Sequence, residues 1–259
     1  MPASATLALA MPTAAAPASG VDAAPATDNA NRSKDNIPPL PLHAQLRFAV
    51  YLGGSSVAIG DLFHELNING QRYTLLSQLE KAGLASWFNS AQLTQSSRGA
   101  LSAIGDLVPE EFREEAADAT GARHAYTAIF DWNAGQVRFA DGPAASAPPG
   151  TLDMLSLLYQ LSQQSFRAEK VSFVVTDGAE IKNILLEIGE TEEIATPMGK
   201  LRALHLIQLH DQGTPGMAIW LGTDYRMLPV KFQKTGPDGR ISEEWVVREI
   251  RVSDEQPTQ

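Results

Sequence analysis

Asp131, Asp153 and Asp224 each sit beside apolar or aromatic neighbours in this 259-residue chain, and His205 is the base that could work with Asp153 or Asp224. General acid–base catalysis needs such groups within hydrogen-bond reach of one substrate atom. Each aspartate also has a sufficient local role. Asp131 precedes Trp132 and the turn Asn133-Ala134-Gly135, Asp153 suits the first turn of a helix, and Asp224 opens the turn Asp224-Tyr225-Arg226. Turns and helix starts are where aspartate is intrinsically favoured, so structural roles outweigh catalytic ones at all three. No catalytic residue is assigned.

Metal and cofactor chemistry finds even less. His64-Glu65 begins like the zinc-binding helix H-E-x-x-H, but the position four after His64 is Ile68, and the second ligand is missing. His205 and His210 lie five apart in an expected strand, on opposite faces, so they share no metal without a bulge. The chain has no cysteine, which excludes thiol nucleophiles, disulfides, zinc ribbons and iron–sulfur clusters. GGSSVAIG (53–60) has glycines and hydroxyls but leads into a strand, so it reads as a turn and bulge rather than a phosphate cradle. No cofactor and no metal are expected.

The aromatic residues are more suggestive. Tyr73, Trp87, Phe88 and Trp220 fall on expected strands and their ends, and in a curved sheet several would face the concavity and line a small apolar pocket. Core packing is the simpler account of the same residues.

The elements that position these side chains are mostly short strands. From Leu46 onward apolar residues alternate with polar ones, between clusters of Gly, Pro, Asn and Asp. Phe48, Val50 and Leu52 share a face; so do Leu62, Leu66 and Ile68, and Asn69-Gly70 is a two-residue hairpin signal leading to Tyr73, Leu75 and Leu79. Leu228, Val230 and Phe232 alternate with Pro229, Lys231 and Gln233, and Gly236-Pro237-Asp238-Gly239 turns the chain into Ile241–Val252. Thr196-Pro197-Met198-Gly199 does the same between Ile184–Ile194 and Leu201–His210, so the C-terminal third reads as a meander.

One segment has helical spacing. In TLDMLSLLYQLSQQ (151–164), Leu152, Leu155, Leu158 and Tyr159 recur on one face, Thr151 is placed to cap, and Met154, Leu157 and Leu161 carry the apolar surface around most of the circumference. Such a helix is buried, so it should plug or cross the concave side of the sheet. The fold class that follows is all-β dominated: a strongly curved antiparallel sheet or partly open β-barrel with one buried internal helix, about 151–164.

Residues 1–45 read as a disordered Ala/Pro-rich leader or linker, 46–252 as a single β-rich barrel-like domain, and 253–259 as a tail. Twelve Ala and six Pro among the first forty residues cannot bury enough apolar surface to offset ordering. ATLALAM (5–11) followed by PTAAA is similar to the end of a secretory signal, yet the first basic residue is Arg32. A truncated start, a cleaved export signal whose front is lost, and a plain linker all fit. With 20 Lys+Arg against 30 Asp+Glu the chain is acidic and shows no basic face for nucleic acid. No stretch approaches the length of a membrane-spanning helix.

FDWNAGQVRF (130–139), TLDMLSLLYQL (151–161), TPMGKLRALHL (196–206) and AIWLGTDYRMLPVKF (218–232), with QLTQSSRGAL (92–101) and LVPEEF (107–112) upstream, resemble the bacterial domain-of-unknown-function family 3108. The resemblance runs from about Leu46 to Val252. It implies a β-rich, barrel-like envelope protein of Gram-negative bacteria, usually exported to the periplasm, with no enzymatic activity as a family property. Gly99, Asp131, Asp153, Ser156, Gly199, Trp220 and Pro229 match its pattern, none with an assigned role. The resulting expectation is a non-catalytic periplasmic protein that binds an apolar or amphipathic ligand, or an envelope partner, through its curved sheet. The alternatives are a hydrolase of an envelope polymer using Asp153 or Asp224 with His205, and a purely structural envelope module.

Overall fold

In the C-terminal part of the chain β-branched and aromatic residues alternate with polar ones, and the runs Ile181–Thr196 and Ile241–Ser253 form the two longest strands. The computed structural model describes residues 37–81, 93–117 and 123–255, all within the unit Arg32–Gln259. Its first arm is β1 (His43–Leu52), β2 (Gly60–Asn69), β3 (Arg72–Lys81), β4 (Leu93–Leu101), β5 (Leu107–Ala117), β6 (Arg123–Asp131), β7 (Gln136–Phe139) and β8 (Ala145–Ser146). A crossing segment follows, β9 (Leu152–Asp153) running straight into the helix α1 (Met154–Gln160) and a 3-10 turn, Leu161–Gln163. The second arm is β10 (Lys170–Thr176), β11 (Ile181–Thr196), β12 (Gly199–Leu209), β13 (Gly216–Gly222), β14 (Leu228–Thr235) and β15 (Ile241–Ser253).

All fifteen strands join one sheet in the order β8-β7-β6-β5-β4-β3-β2-β1-β15-β14-β13-β12-β11-β10-β9. The chain starts in the middle at β1 and meanders outward to β8. It then crosses to the far edge and meanders back until β15 pairs with β1. Every pairing is antiparallel except β9 with β10. Among the described residues the two edge strands, β8 and β9, do not pair with each other, so the sheet is unclosed.

Helix α1 packs on β3, β4 and β5 from the first arm and on β10 and β14 from the second. Contact with both arms places it in the concavity, as its all-round apolar surface predicts. Leu155, Leu157, Leu158, Tyr159 and Leu161 are buried there against Leu46, Leu66, Leu75, Phe112, Leu186, Ile219 and Phe232. The inward register is the one read from alternation: Leu62, Leu66 and Ile68 on β2 and Tyr73 and Leu75 on β3 are all buried.

Several boundaries differ from the sequence reading. The ordered fold begins ahead of Leu46: Leu40 is buried, β1 starts at His43, and Ile68 N donates to Leu42 O. At the other end β15 runs to Ser253 and Asp254 pairs with Arg226. The helix is shorter than 151–164. Leu152 and Asp153 are recruited as a strand by β10, Asp153 rather than Thr151 is the cap, and Thr151 instead donates from Oγ1 to Pro148 O. The Asn69-Gly70 hairpin forms with its loop one residue on, at Gly70-Gln71, because Asn69 pairs with Arg72 and Gly70 takes a φ of 59°.

Candidate functional site

Asp153 ends β9 and caps α1, so its carboxylate is carried to the inner face of β3 and β4. Oδ1 accepts the Ser156 backbone N–H at 2.7 Å, and Oδ2 accepts Ser97 Oγ at 2.6 Å and Ser156 Oγ at 2.7 Å. Tyr73 Oη lies 3.1 Å from Ser97 Oγ and 3.0 Å from Ser156 Oγ. The four side chains are almost completely buried. Burial pushes the Asp153 carboxyl above its ordinary range, opposed by the hydrogen bonds from Ser97 and Ser156. Burial, with the Asp153 charge beside it, also drives the Tyr73 phenol upward.

Three of the positions that match the family pattern meet here. Asp153 and Ser156 form the cluster, and Gly99 lies under Tyr73, where a Cβ would stand 2.9 Å from Tyr73 Cε1 and 2.1 Å from Val108 O. No face of this latch is open to a substrate. It fastens the start of α1 to β3 and β4.

One register row away is a second polar group. His64 on β2 stands directly opposite Ser77 on β3, and the ring of Tyr159 from α1 is 6.1 Å from that of His64, centroid to centroid. Phe48 and Trp245 enclose His64 at 5.1 and 5.9 Å. His64 Nδ1 and Nε2, Ser77 Oγ and Tyr159 Oη are buried without a hydrogen-bond partner. The sequence reading considered His64 only as a metal ligand and Tyr159 only as part of an apolar helix face, and it did not bring them together with Ser77. The available signal was a polar residue in phase with inward apolar ones: His64 between Leu62 and Leu66, and Ser77 between Leu75 and Leu79.

The expected ligand-binding aromatics separate. Tyr73 faces inward, but its hydroxyl is committed to the latch. Trp87 and Phe88 lie outside the described residues. Trp220 faces away from α1, since its neighbour Ile219 pairs with Phe232, whose ring stacks on Trp245 of the inner face. On the outer face Trp220 stacks on His205 at 4.1 Å, donates from Nε1 to Glu192 Oε1 at 2.5 Å, and lies under Lys231 Nζ at 4.8 Å. It is nevertheless buried. The long β11–β12 hairpin, bulged between Ile188 and Thr191 where Gly189 passes close to His205 O, reaches as far as β15. Its residues Ile194, Leu201 and Ala203 are buried with it.

The acid–base candidates do not converge. Asp153 is sealed in the latch, His205 is occupied by Trp220 with Glu192 3.6 Å away, and Asp224 is exposed in its turn. Burial lowers the His205 pKa, with the nearby Glu192 opposing it. Asp131 does what its turn position suggests, accepting the Ala134 N–H and pairing with Arg138. Gly199 (φ 110°) follows the tight turn of the β11–β12 hairpin, and Pro229 lies in β14 at a register shift opposite Leu221. Among the described residues no three His, Asp or Glu side chains are grouped as metal ligands, and no helix is long and apolar enough to cross a membrane.

A groove of about 360 Å³ crosses the outer face of β15, β1, β2 and β3. Phe63, Leu76, Arg47, Glu65, Glu249 and Arg251 line it, and its floor reaches the inward residues Leu46 and His64. The Arg47 guanidinium sits 4.4 Å above the Phe63 ring.

A curved, unclosed β-sheet around one short helix defines a barrel-like class. The family described as "Protein of unknown function (DUF3108)" matches residues 47–244, and the chain belongs to it. Among solved structures, a β-barrel-like protein of domain-of-unknown-function family 1849 from Brucella abortus aligns with a TM-score of 0.51. Its identity is 11%, with 84% of this chain and 100% of that chain covered. A Bacteroides fragilis protein of YmcC-like fold aligns with a TM-score of 0.34 and 10% identity, covering 82% and 97%. A search of curated proteins returns no match.

Proposed function

We propose that this protein is an exported, non-catalytic binding protein of the cell envelope that takes an apolar or amphipathic ligand, or an envelope partner, on its curved sheet. The observation that carries the reading is the outer groove, where Phe63 and Leu76 lie beside two guanidinium groups and three carboxylates. An apolar strip bordered by both signs of charge suits an amphipathic guest. The concave side is occupied by α1, which moves the binding surface outward from where inward aromatics would put it. The sealed latch and the dispersed Asp153, His205 and Asp224 support binding rather than catalysis. Export is supported by the small-residue segment at 5–16.

Saturable binding of an environment-sensitive apolar dye to the folded protein tests the surface. Phe63→Ala should weaken it about tenfold, from the loss of roughly 1.5 kcal/mol of apolar contact. Trp220→Phe and the pair Asp224→Asn with His205→Gln should leave it unchanged. A dye that fails to bind removes the proposal. Fractionation of host cells tests export, and recovery of the full chain with the cytoplasm overturns that part.

A further inference from the structure

The latch shows how this fold treats a buried polar group when it supplies the partner itself. His64, Ser77 and Tyr159 receive no such partner, although they are 2%, 1% and 0% exposed. Unpaired buried polar atoms are uncommon, and each carries the full cost of leaving water. Four such atoms fall on two adjacent strands and the helix that packs on one of them. On the next strand Gln95 stands opposite Ser77, and its Nε2 is given to Glu114 Oε2 at 2.6 Å, so that carboxylate is already engaged.

We infer that His64, Ser77 and Tyr159 form a buried receptor for one neutral hydroxyl-type oxygen that donates and accepts at once. A neutral imidazole offers one donor and one acceptor, and the serine and tyrosine hydroxyls each offer both. An oxygen with two lone pairs and at least one hydrogen complements that set; an ion does not, because Phe48 and Trp245 wall the site and no free charge faces it among the described residues. Burial holds His64 neutral, with a pKa lowered to about 3. Two sources carry this chemistry, an internal water and the hydroxyl of an aliphatic alcohol. The inference does not rest on the reading of the outer groove, although the lining of that groove reaches His64.

The test is the sign of a melting shift in Ser77→Ala, Tyr159→Phe and the double variant. With a guest bridging the groups, each hydroxyl removed takes away a hydrogen bond, and each single variant should melt about 2–4 °C lower. The double variant should fall by less than the sum, because both groups hold the same oxygen. Orphan groups behave oppositely, since deleting an unpaired buried hydroxyl relieves its desolvation. Additive increases in melting temperature would overturn the receptor. Titration with 1-octanol, read by Trp245 emission, then distinguishes the sources. A saturable change absent from Tyr159→Phe assigns the oxygen to an alcohol, and lower-melting variants with no octanol response assign it to water.

Discussion

The two buried polar clusters are made by the same pair of elements. β3 gives Tyr73 to one and Ser77 to the other; α1 gives Ser156 to one and Tyr159 to the other. Their burial is alike, yet every side chain of the first is hydrogen-bonded within the protein and the second is left with four open atoms. The difference lies in the third contributor. β9 delivers a carboxylate to Ser97 and Ser156, whereas β2 delivers an imidazole that is out of hydrogen-bond reach of its neighbours. An acceptor able to take three donors closes a cluster on itself. Without one, the same burial leaves polar atoms with no partner in the protein.

Removing that acceptor should break the contrast most severely. Asp153→Ala leaves the Ser156 N–H without its acceptor, takes the charged acceptor from the Ser97 and Ser156 hydroxyls in the interior, and uncaps α1. About 3–5 kcal/mol is expected, and a melting temperature lower by about 10 °C. If thermal unfolding shows a loss no larger than that of Tyr159→Phe, the two clusters are energetically alike and the distinction fails.

Acid should pull the clusters in opposite directions. His64 binds a proton far more weakly in the folded state, with a pKa near 3 against 6.5 for the free side chain. The unfolded chain therefore takes up more protons as pH falls from 6.5 toward 3, and stability is lost across that window. Asp153 has the reverse sign. Its folded pKa is raised, so its contribution is fully present at low pH and is lost as pH rises through the folded value. Chemical denaturation at pH 6.5 and at about 4.5 should show His64→Phe losing about 2–3 kcal/mol less than wild type, from 1.36 kcal/mol per pH unit. Asp153→Asn should lose more than wild type over the same interval. Equal slopes in all three proteins would remove both assignments.

Gly99→Ala is a smaller perturbation confined to the latch. The backbone there has no need of glycine, but a methyl would be 2.1 Å from Val108 O and would press on the Tyr73 ring. Crowding of this kind costs about 2 kcal/mol. Displacing Tyr73 also breaks its contacts to Ser97 and Ser156, so the effects of Gly99→Ala and Tyr73→Phe should fall short of additive in melting measurements. Strict additivity would mean that the glycine accommodates the strand crossing alone.

The sheet was legible in the sequence because its signals are local. Alternation along Leu228–Phe232, the turn at Gly236–Gly239 and the apolar circumference of Leu155–Leu161 each lie within a dozen residues, and β14, β15 and α1 follow them. The latch was not legible, because Tyr73, Ser97 and Ser156 are 24 and 59 residues apart and meet only when the crossing segment enters the concavity. The face that Trp220 takes was not legible for a related reason. Its inward or outward face depends on strand phase, and the hairpin that covers it from outside turns on a bulge at Gly189 that carries no local pattern.

Gln163 gives the smallest effect and asks whether α1 is fastened at both ends, with the receptor between. By sequence it falls at the polar end of the helix, where substitution should be neutral. In the structure it is buried and its Nε2 donates to Pro38 O at 3.0 Å, while Gln160, one turn earlier, accepts the Leu107 N–H at 2.7 Å and donates to Asp106. Both amides tie the C-terminal end to chain segments that the latch never touches. Gln163→Ala leaves the Pro38 carbonyl without this donor, at a cost of about 1 kcal/mol, and should melt about 3 °C lower. An exposed glutamine would change the midpoint by less than roughly 0.5 kcal/mol. Because the site is far from Asp153 in register, its effect should add to that of Asp153→Asn, and it should leave the octanol response at Trp245 as it is in wild type. A neutral Gln163→Ala would show that the latch alone holds the helix, and that Tyr159 is positioned from one end only.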